Sequence, residues 1–177
     1  TARPMTIPST QRPPAVSTDQ MREVDRIMME DMGIDLIRMM ENAGRNLAWL
    51  SQHRFSPTSV TVLAGPGGNG GGGMVAARHL ANRGISVTIT LIRDDLAPVA
   101  ADQASALKAM GVAFSDEPSD ADLVIDALIG YSLSGDPRER AAALIEWANH
   151  QASPVLALDV PSGLDTSTGM IGDPCVR

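Results

Sequence analysis

Apolar residues recur at helical spacing early in the chain and gather into short unbroken runs further on. Ser17-Thr18-Asp19 offers helix caps ahead of Met21, Val24, Ile27 and Met28, a spacing that predicts one helix before Gly33 breaks it. Leu36, Ile37, Met39, Met40, Ala43, Leu47 and Leu50 predict a second over residues 35–51. At this spacing its methionines read as core packing rather than as a soft binding surface. From Val60 the rhythm changes. Apolar runs at 60–64, 86–92, 123–127 and 155–160 alternate with helical segments at 73–83, 98–110 and 138–151. Continuous apolar strands are those covered by helices on both faces. Their alternation with helices predicts an α/β fold: a Rossmann-like three-layer α/β/α sandwich around a mostly parallel, doubly wound sheet. Ligands of such sheets collect at the carboxyl ends of the strands. That rule points to residues 65–73, 93–95, 126–136 and 159–165.

The first of these segments holds seven glycines in nine positions, Gly65 to Gly73, between a strand and a helix. Glycine lets backbone approach a phosphate closely, and a helix N-terminus offers free N–H groups and a positive dipole end. The pattern G-x-G-x-x-G is present as Gly65, Gly67 and Gly70. A tight strand-to-helix turn with no ligand would read the same way.

Composition narrows the function classes. The chain has 177 residues, enough for one domain with a real core. Its net charge is −7 and aromatic residues make up 3%, which argues against nucleic acid or an anionic membrane surface as partner. The single cysteine, Cys175, has no intrachain partner, and no Cys/His cluster has zinc spacing. No apolar stretch reaches membrane-span length and the first residues lack a signal-peptide core, so a cytoplasmic location is expected. Residues 1–17 carry four prolines among small polar residues and read as a flexible leader, leaving residues 18–177 as a single domain.

Asp126 and Asp159 both close apolar runs. A carboxylate there is costly to bury unless it meets a cation, a donor or a ligand. Both are acid/base candidates, and each could instead cap a nearby loop through backbone N–H groups. Arg93 and Asp94 stand where dinucleotide enzymes read the ribose 2′ position, or else form a solvated turn. Residues 130–136, Gly-Tyr-Ser-Leu-Ser-Gly-Asp, make a second flexible loop that could wrap a ligand.

Four motifs in order give the chain a resemblance. Gly65-Pro66-Gly67-Gly68-Asn69-Gly70-Gly71-Gly72-Gly73 followed by Ala77-Arg78-His79-Leu80 is similar to the phosphate loop and helix of the NAD(P)H-hydrate epimerase family, the YjeF N-terminal domain. Ile125-Asp126-Ala127-Leu128-Ile129-Gly130 through Gly135 resembles its second motif, and Asp159-Val160-Pro161-Ser162-Gly163-Leu164-Asp165 its third. Met21-Arg22-Glu23-Val24-Asp25 and Met40-Glu41-Asn42-Ala43-Gly44 resemble the N-terminal helices. The resemblance runs from about residue 17 to 173.

It implies an isomerase that interconverts the R and S epimers of hydrated NADH and NADPH, acting as a homodimer. By the same resemblance Gly68, Asn69, Gly70, Gly71, Gly72, Gly130, Tyr131, Ser132, Leu133, Ser134, Gly135, Asp136 and Asp159 bind substrate. It also implies that Asn69, Asp126 and Ser162 hold a potassium ion. The chemistry of losing and regaining water next to a ring nitrogen makes Asp159 the candidate catalytic acid/base. Two positions depart from the family loop, where Gly68 replaces an Asn and Gly72 an Asp, and four consecutive glycines predict a loose loop. The family also continues into further strands where this chain stops, which implies a domain truncated at its C-terminus. Two rivals remain in view. One is a catalytically degenerate nucleotide-binding or scaffold module with the same fold. The other is a nicotinamide oxidoreductase, for which neither a substrate domain nor hydride-transfer machinery is evident.

Overall fold

A computed structural model describes residues 15–177. The expected leader, residues 1–17, therefore lies outside the described residues except for its last three. Ser17 caps the first helix, α1 (Thr18–Arg26), through a reciprocal capping box with Gln20. The chain then widens into a π-helical turn, Ile27–Asp31, which periodicity did not predict. Asp35 caps α2 (Leu36–Phe55) by accepting the Arg38 N–H at 2.8 Å. After it come β1 (Ser59–Ala64), α3 (Gly68–Ala81), β2 (Ser86–Leu91), α4 (Pro98–Ala109), β3 (Ala113–Phe114), β4 (Leu123–Ala127), α5 (Glu139–Asn149) and β5 (Val155–Ala157).

The five strands form one parallel sheet in the order β3-β2-β1-β4-β5, with β1 at its centre. Side chains alternate across it. Val60, Val62, Ile89 and Ile125 face α2, α3 and α4, where they meet Leu47, Met74, Leu80, Ala104 and Leu107. Leu63 and Val124 face the other way, onto Leu144, Ile145 and Ala148 of α5 and onto Val176. Each buried Leu, Ile or Val contributes about 1.5–3 kcal/mol, which is what commits the apolar runs to this sheet. Two expectations need correction. The run 155–160 forms a strand only as far as Ala157, and a two-residue strand, β3, pairs with β2 where no run announced it.

The larger correction concerns the glycines. Helix α3 begins at Gly68, so five of the loop's seven glycines are helical, and Gly70 to Gly73 are buried rather than loose. Packing imposes this. A Cβ on Gly70 would strike the Gly65 carbonyl oxygen, and one on Gly73 would strike the Ala127 methyl. On Gly71 it would stand 2.6 Å from Met40 Cε, and on Gly72 2.6 Å from Leu158 Cδ2. Gly44 of α2 is pressed as closely against Gly72 O and Val75. Helical glycine costs about 0.5–1 kcal/mol relative to alanine. Here the alternative is a backbone clash, so close approach decides.

Candidate active site

A cavity of about 670 Å³ opens where the carboxyl ends of β4 and β5 meet the N-terminus of α3. Gly68, Asn69 and Gly72 of α3 form one wall. Gly130, Tyr131 and Ser132, beyond β4, and Leu158, Asp159 and Val160, beyond β5, form another. The roof is Met21, Asp25 and Met29 from the N-terminal helices, with Met39 and Met40 of α2 beside them. The α2 methionines thus do what periodicity assigned to core packing and also line the cavity, a soft apolar surface after all.

The α3 wall is electropositive by construction. The first intrahelical bond is Gly71 N–H to Gly67 O at 2.9 Å, so the N–H groups of Gly68, Asn69 and Gly70 have no partner within the helix. With the helix dipole they favour an anion. Asn69 Nδ2 is buried without a hydrogen-bond partner. A buried orphan amide is costly, and a ligand would relieve it.

Facing this wall is the exposed carboxylate of Asp159. It accepts the Tyr131 N–H at 2.8 Å. The loop comes so near that a Cβ on Gly130 would stand 2.9 Å from Asp159 Oδ2 and 3.4 Å from Asn69 Cγ. Tyr131 also donates its hydroxyl to Asp25 at 2.6 Å. Burial, then the Asp25 carboxylate, pushes the Tyr131 hydroxyl up to about 12, so it remains a donor at working pH.

Asp126 sits behind this surface and is fully buried. It accepts the Ser162 hydroxyl at 2.6 Å, the Ser162 N–H at 2.8 Å and the Leu128 N–H at 3.2 Å. Ser162 Oγ in turn accepts the Ile129 N–H at 2.9 Å, so this pair ties the chain beyond β5 to the chain beyond β4. Burial raises the Asp126 carboxyl above its ordinary value of 3.8, against the pull of these hydrogen bonds. No Lys, Arg or His pairs with Asp126 among the described residues.

The model of the family described as "YjeF-related protein N-terminus" matches residues 36–177. The chain belongs to this family. An NAD(P)H-hydrate epimerase of Dehalogenimonas lykanthroporepellens is 47% identical over 171 residues, covering 92% of this chain and 70% of that protein. A bifunctional NAD(P)H-hydrate repair enzyme of Hyperthermus butylicus is 42% identical over 153 residues, 79% of this chain, which spans only 28% of that longer protein. Among solved structures, the crystal structure of yeast ynu0 superposes with a TM-score of 0.82 at 26% identity, over 92% of this chain and 76% of that one. The Rossmann-like α/β reading of the sequence is therefore correct.

Placed on this YjeF-type fold, the expected site residues divide. Gly68, Asn69, Gly72, Gly130, Tyr131, Ser132 and Asp159 line the cavity. Gly70 and Gly71 lie in the packed body of α3, and Leu133, Ser134, Gly135 and Asp136 are not part of the cavity wall. Asp136 instead accepts the Asp173 N–H at 3.2 Å. Arg93 and Asp94 line a separate cleft of about 300 Å³ with Lys108, Phe114 and Arg140, apart from the main cavity. Sequence reasoning missed Asp25, which lines the cavity from α1 and accepts the Tyr131 hydroxyl; its place in the Met21–Asp25 motif is the one signal that could have found it.

Proposed function

We propose that this chain is an NAD(P)H-hydrate epimerase, a nicotinamide-nucleotide repair isomerase acting on hydrated NADH and NADPH. One observation carries the reading: an exposed carboxylate, Asp159, faces the unpartnered N–H groups of α3 across a cavity of about 670 Å³. The N–H groups suit a diphosphate. The methionine roof suits flat apolar rings.

The reaction needs little more. In the hydrate a hydroxyl stands on the ring carbon next to nitrogen. Asp159 gives a proton to that oxygen, the C–O bond breaks, water leaves, and the nitrogen lone pair forms an iminium ion. Water then adds to the opposite face and returns its proton to Asp159. The carboxylate that Asp159 becomes on giving up its proton favours the cationic intermediate.

The fully buried Asp126 without a protein cation, the Ser162 hydroxyl bonded to it and the side-chain oxygen of Asn69 are hard oxygen donors of the kind that suits a monovalent ion. Potassium would be held by Asn69, Asp126 and Ser162. It would offset buried negative charge and add positive charge near the substrate. We also place the protein in the cytoplasm as a homodimer. Exposed Val24, Ile27 and Met32 by α1, with Ile37, Trp49 and Leu50 on α2, offer apolar surface for pairing, checked by light scattering. No helix among the described residues is long and apolar enough to cross a membrane.

The test is direct. One purified hydrate epimer, incubated with the protein and potassium, should yield the other by chromatography faster than the spontaneous rate. Equal rates with and without protein overturn the proposal.

A further inference from the structure

We propose that Asp25 and Tyr131 form a latch between α1 and the loop after β4, and that through it Tyr131 positions the carboxylate of Asp159. The role given to Asp159 rests on the epimerase reading. The latch itself rests on geometry.

Tyr131 is bonded at both ends. Its hydroxyl donates to Asp25 Oδ2 at 2.6 Å, and its backbone N–H donates to Asp159 Oδ2 at 2.8 Å. A residue so held passes the position of one carboxylate to the other. Glycine at 130 lets the loop lie against Asp159 closely enough that even a Cβ would intrude. A small swing of the loop therefore removes the one protein hydrogen bond the Asp159 carboxylate accepts among the described residues.

The other end of the latch needs Tyr131 as much. Helix α1 buries none of its residues, so apolar packing alone holds it weakly over the cavity. Its polar ties are the Asp25–Tyr131 bond and Thr18, whose hydroxyl lies 2.6 Å from Ser167 Oγ. The ion pairs of α1 are with its own neighbours, as in Arg26 with Glu23 and Glu30, and fasten it to nothing else. The same contact thus seats the roof and orients the reacting group, so closure over substrate and alignment of Asp159 become one event.

The experiment is a double-mutant cycle on the full chain. A hydrogen bond to a charged group is worth about 10- to 100-fold when lost. Tyr131→Phe and Asp25→Ala should each lower kcat by about that factor, with KM moving much less. The double variant should be no worse than either single one, because both break the same contact. Asp25→Asn keeps an acceptor for the hydroxyl and should recover most of the loss. Additive losses, unchanged kcat, or Asp25→Asn as damaging as Asp25→Ala each overturn the latch. Amide exchange supplies a readout that needs no turnover: the Tyr131 N–H should exchange about tenfold faster in Asp25→Ala. If the native chain fails to interconvert epimers, the epimerase reading falls, and exchange still decides the latch. Unchanged protection at Tyr131 rejects it.

Discussion

Strands β4 and β5 lead to the same residue type at the same edge of one sheet, and the two carboxylates meet opposite surroundings. Asp126 is still within β4, whose neighbours β1 and β5 pair along both sides. It is fully buried and spends its acceptors on Ser162 and Leu128. Asp159 lies two residues beyond the end of β5, at the sheet's margin, and faces the cavity with a single protein donor. A strand-end aspartate is thus two different objects. Inside the sheet it joins the loops that follow two strands. Past the end of an edge strand it is exposed and lines the cavity.

The sharpest way to break the contrast is to delete each carboxylate in turn. Asp126→Ala leaves two N–H groups and a hydroxyl buried without their acceptor, and should cost about 3–5 kcal/mol in denaturant unfolding. Asp159→Ala should change stability by about 0.5 kcal/mol or less while lowering epimerisation about 10²- to 10⁴-fold. Equal effects of the two on stability would erase the distinction.

Potassium tests it from the other side. Burial lifts the folded-state value of Asp126 above 3.8, so the folded protein holds that proton more tightly than the unfolded chain. Its contribution to stability therefore falls as pH rises from about 3.8 through the raised folded value. Asp122, at the start of β4, works the opposite way. The Thr58 hydroxyl and N–H and the Ser59 N–H hold it down to about 2, so its stabilisation is full above about 3.8 and is lost as pH falls through about 2. Potassium bound beside ionised Asp126 should add about 2.7 kcal/mol at a hundredfold excess over its Kd, above the acid window and not below it. Thermal unfolding in potassium and in choline chloride measures this. An equal gain in Asp126→Asn would move the ion elsewhere.

These contrasts mark how far the sequence could be read. Four strands were legible because buried parallel strands must be apolar on both faces, and Leu123–Ala127 was located to the residue. β3 was not, since a pair made only at Ala113 and Phe114 is too short to leave a pattern. The start of α3 was misread because glycine is a poor helix former, and propensity loses where Gly65, Met40, Leu158 and Ala127 exclude a Cβ. Both carboxylates stood out, yet an apolar run ending in aspartate does not say whether the residue lies within the strand or past it. Asp25 was hidden for another reason. Its site exists only once α1 docks across a loop more than a hundred residues away, and that contact leaves no local trace.

The smallest predicted effects separate the two strand ends through adjacent glycines. Gly73 abuts Ala127, next to Asp126, while Gly72 abuts Leu158, next to Asp159. The Ala127 methyl is fixed to a central strand and cannot retreat, so Gly73→Ala should cost about 2–3 kcal/mol. Leu158 is only half-buried, and its Cδ2, 2.6 Å from a Cβ at Gly72, ends a side chain that can rotate into the cavity. Gly72→Ala should therefore cost about 1 kcal/mol, partly offset by helix propensity, and should weaken turnover more than stability because the displaced leucine adjoins Asp159. Adding Leu158→Ala removes the clash, so the double variant should be more stable than the two single losses together predict, by about 1 kcal/mol. The same geometry bears on the departure at position 72. A side chain larger than methyl, as in Gly72→Asp, would enter space that Leu158 fills, so it should be tolerated with Leu158→Ala and poorly without it. Strict additivity in this cycle would mean that Gly72 and the end of β5 do not press on one another.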